Sequence, residues 1–119
     1  MTERAEVDQF FDEYARGLQA RDAGAVAALY AVPALIAFPA QSLAVADRSQ
    51  TEAFLTSTWE HGGGGDDVSS DVRVVAETGH SVWVDVTWRY GDDRTERFMY
   101  QLVDDAGTWR IAVLTPLTD

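Results

Sequence analysis

Two tyrosines and one glutamate have the side chains best suited to chemistry on a single apolar face. Tyr14 follows the apolar stripe of the first predicted helix, and Tyr100 lies within a predicted strand. Glu96 and Tyr100 are an even number of residues apart in one predicted strand, so their side chains should point to the same, inner face of the sheet. A carboxylate buried there would have a raised pKa, as a general acid or base needs. The competing arrangement, which we favour, is a solvated strand-end residue beside Arg94 or Arg97.

A set of aromatic residues is predicted to point inward and to form an apolar cavity for a small hydrophobic molecule. Aromatic side chains on a buried face can equally well fill the core and leave no space. A buried tyrosine such as Tyr14 also usually finds a structural hydrogen-bond partner, so its hydroxyl group does not by itself indicate catalysis. The predicted lining residues are Tyr14, Tyr30, Phe38, Phe54, Trp59, Trp88, Phe98 and Tyr100.

Metal, thiol and cofactor chemistry have little support in the residue types present. The sequence contains no cysteine, and this removes disulfides, thiol nucleophiles and cysteine-bound zinc. His61 is predicted at the end of the third helix and His80 in a turn, and neither has a visible acid or nucleophile partner. We therefore expect no metal site and no cofactor.

The net charge restricts the classes of partner. The formal charge of the 119-residue chain is -11, so nucleic acid and anionic membrane surfaces would repel it. No apolar run approaches the roughly 20 residues of a membrane span. The polar and charged N-terminus does not resemble a signal peptide, so we expect a cytoplasmic protein. The length predicts one domain, residues 1–119.

Apolar periodicity predicts three helices and two short strands in the first half of the chain. The first helix carries an apolar stripe at helical spacing, and Asp22 is placed to cap the second. A third helix starts at Asp47 or Ser49, where Ser49 and Glu52 fit a capping box. The predicted helices are 3–20, 23–30 and the segment after residue 47, and the two short strands are 34–38 and 42–46.

Four longer runs with a period of two residues predict a curved antiparallel sheet in the second half. They are residues 68–78, 81–90, 95–103 and 108–114. The resulting fold class is α+β, in which a cone-shaped curved sheet wraps around the long first helix and two further helices accompany it. The side chains opposite the inward residues predict an interface between proteins, and they are Trp83, Thr87, Met99 and Gln101. Asp85 is expected on the same outer face, beside an arginine.

Two segments of the chain resemble a known family. They are E-Y-A-R-G-L-Q-A-R-D-A-G-A-V-A-A-L-Y-A-V-P-A-L-I-A-F-P and the C-terminal Y-Q-L-V-D-D-A-G-T-W-R-I-A-V-L. They resemble the nuclear transport factor 2-like superfamily, which includes SnoaL-like cyclases and ketosteroid isomerases. The likeness covers nearly the whole chain. It implies the cone-shaped fold, an inner pocket, and a homodimer formed through the outer face of the sheet.

The resemblance also implies a comparison with the steroid isomerases, and this chain departs from them. Tyr14 matches their tyrosine, but Phe38 before Pro39 occupies the position of their aspartate base, and Tyr100 lies near the position of their acid. Phenylalanine cannot take a proton, and losing a general base alone lowers a rate by about 10²–10⁴-fold. The sequence therefore excludes isomerase chemistry by that route.

Three hypotheses remain for the function. The first is a homodimer whose apolar pocket takes a small hydrophobic molecule, with no assigned reaction. The second is an isomerase, cyclase or dehydratase that uses Tyr14, Tyr100 and Glu96. The third is a non-catalytic dimerisation scaffold with a filled core.

Overall fold

A computed structural model describes residues 4–38, 41–62, 68–91 and 95–117 of the chain. The order of elements is helix, helix, two strands, helix and four strands, as the sequence predicts. The helices are α1 (Arg4–Ala20), α2 (Ala23–Ala27) and α3 (Arg48–Gly62). The strands are β1 (Tyr30–Phe38), β2 (Gln41–Val45), β3 (Val68–Glu77), β4 (Ser81–Tyr90), β5 (Thr95–Asp105) and β6 (Thr108–Pro116).

The strands form one curved six-stranded sheet in the order β2-β1-β6-β5-β4-β3. The predicted curved antiparallel sheet of the four long strands is confirmed, and β1 and β2 extend it to a mixed six-stranded sheet. Strand β1 runs parallel to β6, with Leu35 opposite Val113 and Ile36 opposite Leu114. The hairpins impose antiparallel pairing on the other neighbours, whereas β1 and β6 come from opposite ends of the chain and face no such constraint.

Strand β1 starts earlier than the sequence pattern predicts, and α2 is correspondingly shorter. Tyr30, expected in the second helix, is the first residue of β1 and pairs with Ile111 of β6. Asp22 does cap α2, because its carboxylate accepts a hydrogen bond from the backbone N–H of Ala25 at 3.1 Å. The pairing with β6 outweighs the weak helical signal of this apolar segment.

The N-terminal cap of α3 uses a different residue pair from the predicted Ser49 and Glu52. The Asp47 carboxylate accepts from the backbone N–H of Gln50 at 3.0 Å. The Gln50 side chain reaches back to the N–H groups of Ala46 and Asp47 at 2.5 and 3.2 Å. This is a reciprocal capping box shifted two residues towards the N-terminus. A hydrogen bond from the Ser49 hydroxyl lowers the pKa of Asp47 and so stabilises its charged form.

The two faces of the sheet have opposite compositions. On the inner face, a row of partners across the sheet consists of Ile36, Leu114, Tyr100, Val84 and Val74. Helix α1 covers this face, and the buried Phe11 ring contacts the rings of Trp88 and Tyr100 at centroid distances of 6.2 and 5.1 Å. The strands therefore direct alternate side chains either to this core or to the outer face.

Helices α1 and α2 meet at a glycine. A Cβ atom added to Gly17 would lie 2.5 Å from a methyl carbon of Val26, which is fully buried. The close approach of the two helices therefore requires the absence of a side chain at this position. It also fixes where the chain turns into β1, and hence where Tyr30 enters the core.

Candidate functional site

The inner face carries an aromatic cluster of Phe11, Tyr14, Tyr30, Trp88 and Tyr100, referred to below as the inner aromatic cluster. All five side chains are buried. Tyr14 lies 5.2 Å from Trp88 and 6.1 Å from Tyr30 between ring centroids. Aromatic pairs at such distances and tilted angles contribute packing energy beyond the area that they bury. The helix α1, the start of β1 and the strands β4 and β5 all contribute to this cluster.

The polar atoms of the cluster form a connected hydrogen-bond network. The hydroxyl groups of Tyr14 and Tyr30 are 2.6 Å apart, and the indole Nε1 of Trp88 donates to the Tyr100 hydroxyl at 2.8 Å. A hydrogen bond between Tyr100 and Tyr14 joins the two pairs. The network thus runs from β4 through β5 and α1 to β1. It satisfies groups that would be costly to bury alone.

The phenols of Tyr14 and Tyr30 remain protonated over the physiological range. Burial raises the pKa of Tyr14 to about 12, although its hydrogen bonds with Tyr30 and Tyr100 lower it in part. Burial is also the largest cause of the raised pKa of Tyr30, and the neighbouring phenols Tyr14 and Tyr100 add to it. Groups with such pKa values act as neutral hydrogen-bond donors and not as bases near pH 7.

The network contains four protons for three hydrogen bonds, so one phenol proton is left over. An indole N–H can only donate, so the Tyr100 oxygen accepts from Trp88. If the donor direction continues, as cooperative hydrogen-bond chains favour, Tyr100 donates to Tyr14 and Tyr14 donates to Tyr30. Since either hydroxyl of the Tyr14–Tyr30 pair can be the donor, this is the arrangement in which Tyr30 keeps its proton for a further acceptor.

A half-buried aromatic rim adjoins the cluster. Phe38 of β1 and Phe54 of α3 are in contact at a centroid distance of 5.8 Å. Phe98 lies 6.2 Å from Tyr100, and it too is only partly buried. These three rings, called the aromatic rim below, form the partly accessible side of the predicted lining set. The predicted lining side chain of Trp59 lies outside the described residues.

No carboxylate is buried on the inner face among the residues that the structure describes. Glu96 lies in one register row with Ser70 and Trp88, but its side chain is exposed. The one buried acid in the described part, Asp85, belongs to the outer face. His80 is exposed, and the side chain of His61 lies outside the described residues. The described residues also include no group of three or more acids and histidines placed to hold a metal ion.

The outer face is organised around an ion pair between Asp85 of β4 and Arg97 of β5. Arg97 Nε lies 2.9 Å from Asp85 Oδ1, and Arg97 Nη2 lies 2.5 Å from Asp85 Oδ2. Asp85 is only 8% exposed, whereas half of the Arg97 side chain, 53%, remains exposed. The hydrogen bonds from Arg97 hold the pKa of Asp85 below its ordinary value. The prediction that Asp85 pairs with an arginine is confirmed.

Apolar side chains surround this pair on the outer face. The predicted interface residues are all half-buried in the single chain: Trp83, Thr87, Met99 and Gln101. Gln101 pairs in register with Trp83 on one side and with Val113 on the other, and Val113 pairs with Leu35. Leu35 is 39% exposed, although it is a large apolar residue. A largely apolar strip of Leu35, Val113 and Trp83, interrupted by Gln101, therefore crosses the outer face from β1 to β4 and is called the apolar strip below.

Two features of the site escaped the sequence analysis. The sequence pattern places Tyr30 in a helix, so it does not predict the hydroxyl contact with Tyr14. Phe11 lies in the apolar stripe of α1 and is absent from the predicted lining set, although its ring contacts the rings of Tyr14, Trp88 and Tyr100. The helical spacing of Phe11 and Tyr14, three residues apart on one face, is the signal that was available.

Comparison with known proteins identifies relatives at the level of the family and the fold. A family profile described as "NTF2-like protein (DUF6841)" matches residues 5–119. The search of curated proteins returned no match. No helix in the described part of the chain is both long and apolar enough to cross a membrane.

Among solved structures, the chain is similar to an NTF-2 like protein of unknown function from Shewanella oneidensis MR-1. The TM-score is 0.78 at 11% identity, over 94% of this chain and 96% of that chain. It is also similar to a ketosteroid isomerase-like protein from Erwinia carotovora atroseptica SCRI1043, with a TM-score of 0.67 at 16% identity over 97% and 96% of the two chains. At these identities the likeness establishes the shared fold alone.

Proposed function

The chain belongs to the NTF2-like family DUF6841, and we propose that it is a homodimeric binding module for a small, uncharged, largely apolar molecule. The ligand would enter past the aromatic rim of Phe38, Phe54 and Phe98 and contact the inner aromatic cluster. The observation that carries this proposal is the composition of that cluster. It consists of buried rings with neutral phenol and indole donors.

The absence of a charged partner on the described inner face favours an uncharged ligand. A buried ion without a counter-ion or hydrogen bonds from charged groups is costly. Tyr14 and Tyr30 stay neutral because their pKa values are raised, so they cannot balance a cation. Apolar sites with a few convergent polar groups are typical of small-molecule pockets.

The open end of the hydrogen-bond network favours a ligand with one acceptor atom. When Tyr14 is the donor of the Tyr14–Tyr30 pair, Tyr30 retains its own proton for a further acceptor. A carbonyl oxygen would accept this proton, whereas a pure hydrocarbon would leave it without a partner. The ligand class that fits is therefore an apolar ketone, aldehyde or ester.

An isomerase, cyclase or dehydratase that uses Tyr14, Tyr100 and Glu96 is the alternative. The hydrogen-bonded phenols favour it, because donors of this kind stabilise negative charge that develops on an oxygen. The exposed position of Glu96 argues against the enzyme alternative, because a general base has to come within about 3 Å of the proton that it removes. A scaffold with a filled core is the third possibility, and the tight aromatic contacts of the cluster are compatible with it.

The outer face supports self-association. Trp83 and Met99 are half-buried and Leu35 is partly exposed, so an apolar strip is left uncovered in the single chain. Exposed apolar surfaces of this kind typically mark interfaces between proteins. A second copy presenting the same strip would cover it.

A pair of shape-matched probes tests the ligand proposal. Indane and 1-indanone differ in one carbonyl group, and their binding is measured by tryptophan fluorescence and calorimetry. One neutral hydrogen bond is worth about 1 kcal/mol, so we expect 1-indanone to bind about fivefold more tightly. Tyr30→Phe should abolish this preference, whereas Thr87→Val, which removes a hydroxyl from the opposite face, should retain it.

Three outcomes separate the alternatives. Equal binding of the two probes would contradict the acceptor requirement, and binding of neither would favour the filled scaffold. Native mass spectrometry of the freshly purified protein would reveal a retained small molecule and the oligomeric state. If the retained molecule is converted by the protein, loss of turnover in Tyr14→Phe/Glu96→Gln with an intact fold would establish the enzyme instead.

A further inference from the structure

The central outer face of β3, β4 and β5 is close to electroneutral, although the chain as a whole is strongly acidic. Three arginines minus two aspartates leave a local charge of +1, against -11 for the whole chain. The register places all five on the face opposite the inner valines. We call them the balanced patch, and they are Asp71, Arg73, Asp85, Arg89 and Arg97.

The Asp85–Arg97 pair has the most protected position within the balanced patch. Asp85 pairs in register with Arg73 on one side and with Met99 on the other, so its carboxylate is enclosed by neighbouring strands. By contrast, the Asp71 and Arg89 side chains are 66% and 57% exposed, and their closest charged atoms are 3.6 Å apart. An ion pair that is already nearly dehydrated on one side loses less hydration when a surface covers it.

We propose that the Asp85–Arg97 pair selects a second copy of this chain as the partner of the outer face, and that this association tightens as salt is added. The inference rests on the homodimer proposed above and adds the residues that specify it and the sign of its salt dependence. Arginine suits this position because its planar group can hold a carboxylate with one edge and donate to a partner with the other.

Charge explains why the second copy would approach by this face. Two copies that each carry -11 repel one another, and the repulsion is smallest where the local charge is close to zero. Most of the excess acidic charge lies elsewhere on the chain. An acidic partner would meet the same repulsion without the matching apolar strip, and a basic partner would be attracted to the acidic remainder of the surface instead.

The salt dependence follows from the distances over which the charges act. The longest extent of the chain is 37 Å, whereas the Debye length falls from roughly 30 Å at 10 mM salt to about 8 Å at 150 mM. Salt therefore screens the repulsion between the two copies. The Asp85–Arg97 contact is affected less, because the atoms of a partly buried pair touch and are poorly screened.

Sedimentation equilibrium of the wild-type protein between 10 and 300 mM NaCl tests the charge argument. We expect the dissociation constant of the dimer to fall by about tenfold or more across this range. A dissociation constant that rises with salt would overturn the proposal. A monomer at every salt concentration would overturn both this proposal and the homodimer.

Variants of the pair test its role in selecting the partner. Arg97→Gln leaves Asp85 without its partner at a covered surface, and we expect the dissociation constant to rise by about thirtyfold or more. Arg16→Gln on the exposed face of α1 changes the net charge equally and is the control, with a change of about twofold or less. Circular dichroism establishes that both variants fold.

The double variant Asp85→Asn/Arg97→Gln separates a charge effect from a packing effect. It removes both charges and differs from Arg97→Gln only by the isosteric change of Asp85 to asparagine, so we expect a dimer tighter than that of Arg97→Gln alone. If Arg97→Gln associates as tightly as the wild type, the pair does not specify the interface, while the homodimer itself stands. If the double variant is as weak as the single one, the loss is one of packing and the proposal fails.

Discussion

The two faces of β4 and β5 satisfy their polar groups in different ways. On the inner face, Trp88 and Tyr100 are linked by a neutral hydrogen bond within a network that remains uncharged. On the outer face of the same strands, Asp85 and Arg97 form an ion pair with one partner half exposed. Burial therefore selects the kind of polar contact, because full desolvation penalises charges far more than neutral hydroxyls.

A carboxylate introduced on each face would test this comparison with the largest effect. Val84→Asp places a charge at a fully buried inner position, and we expect a loss of more than about 4 kcal/mol in the free energy of unfolding or failure to fold. Thr87→Asp on the half-buried outer face should cost about 1 kcal/mol or less. Urea unfolding at a protein concentration low enough to keep the chain monomeric measures both, and equal losses would contradict the distinction between the faces.

Alkaline pH should weaken the inner face selectively. The pKa of Tyr14 is about 12 in the folded protein, above its ordinary value of 10.0. A group with a raised folded pKa contributes its stability fully below the unfolded pKa and loses it as pH rises through the folded value. This pKa difference corresponds to about 3 kcal/mol in the free energy of unfolding, which is lost between about pH 10 and pH 12.

Urea unfolding over this alkaline range, with absorbance titration of the phenols, provides the measurement. Tyr14→Phe is the matched variant, and its unfolding free energy should fall less steeply than that of the wild type. The stability of the outer face should change with pH in the opposite direction. The pKa of Asp85 is lowered, so its contribution to the free energy of unfolding is lost only as pH falls through that lowered value. Identical alkaline profiles for the two proteins would contradict the assignment to Tyr14.

Removing one hydroxyl from the inner network should have a smaller effect. Tyr100→Phe preserves the ring but leaves the Trp88 indole N–H without its acceptor, and we expect a cost of about 1–3 kcal/mol. Chemical unfolding with tryptophan fluorescence measures it. Thr115→Val on β6, which removes a hydroxyl that donates to the Ala37 carbonyl at a partly buried position, is the comparison and should cost about 1 kcal/mol.

The sequence was sufficient to predict the separation of the two faces. The strict alternation in β4 and β5 assigned Val84, Trp88 and Tyr100 inward and Asp85 outward, because a strand can bury only every second side chain. The order of the elements followed from the same periodicities. These predictions depend on patterns within single elements, which one sequence records directly.

Features that depend on contacts between distant segments could not be predicted in this way. The parallel pairing of β1 with β6 joins Tyr30 to Ile111, and no local pattern specifies that register. The Tyr14–Tyr30 contact depends on it, because Tyr30 reaches the cluster only as a strand residue. The capping box of α3 was missed for another reason, since Asp47 and Ser49 are both good caps and only their geometry distinguishes them.

The exposed ion pair at the edge of the outer face should be the least sensitive position of all. Asp71 and Arg89 are both more than half exposed, so water and salt screen their attraction. We expect Asp71→Asn to change the free energy of unfolding by about 0.5 kcal/mol or less, as measured by urea unfolding. Asp85→Asn should cost more, because it leaves Arg97 facing a nearly buried uncharged group. Equal effects of the two substitutions would show that burial does not determine how much an ion pair on the outer face contributes to stability. The contrast between the two faces would then depend only on the chemical type of their residues.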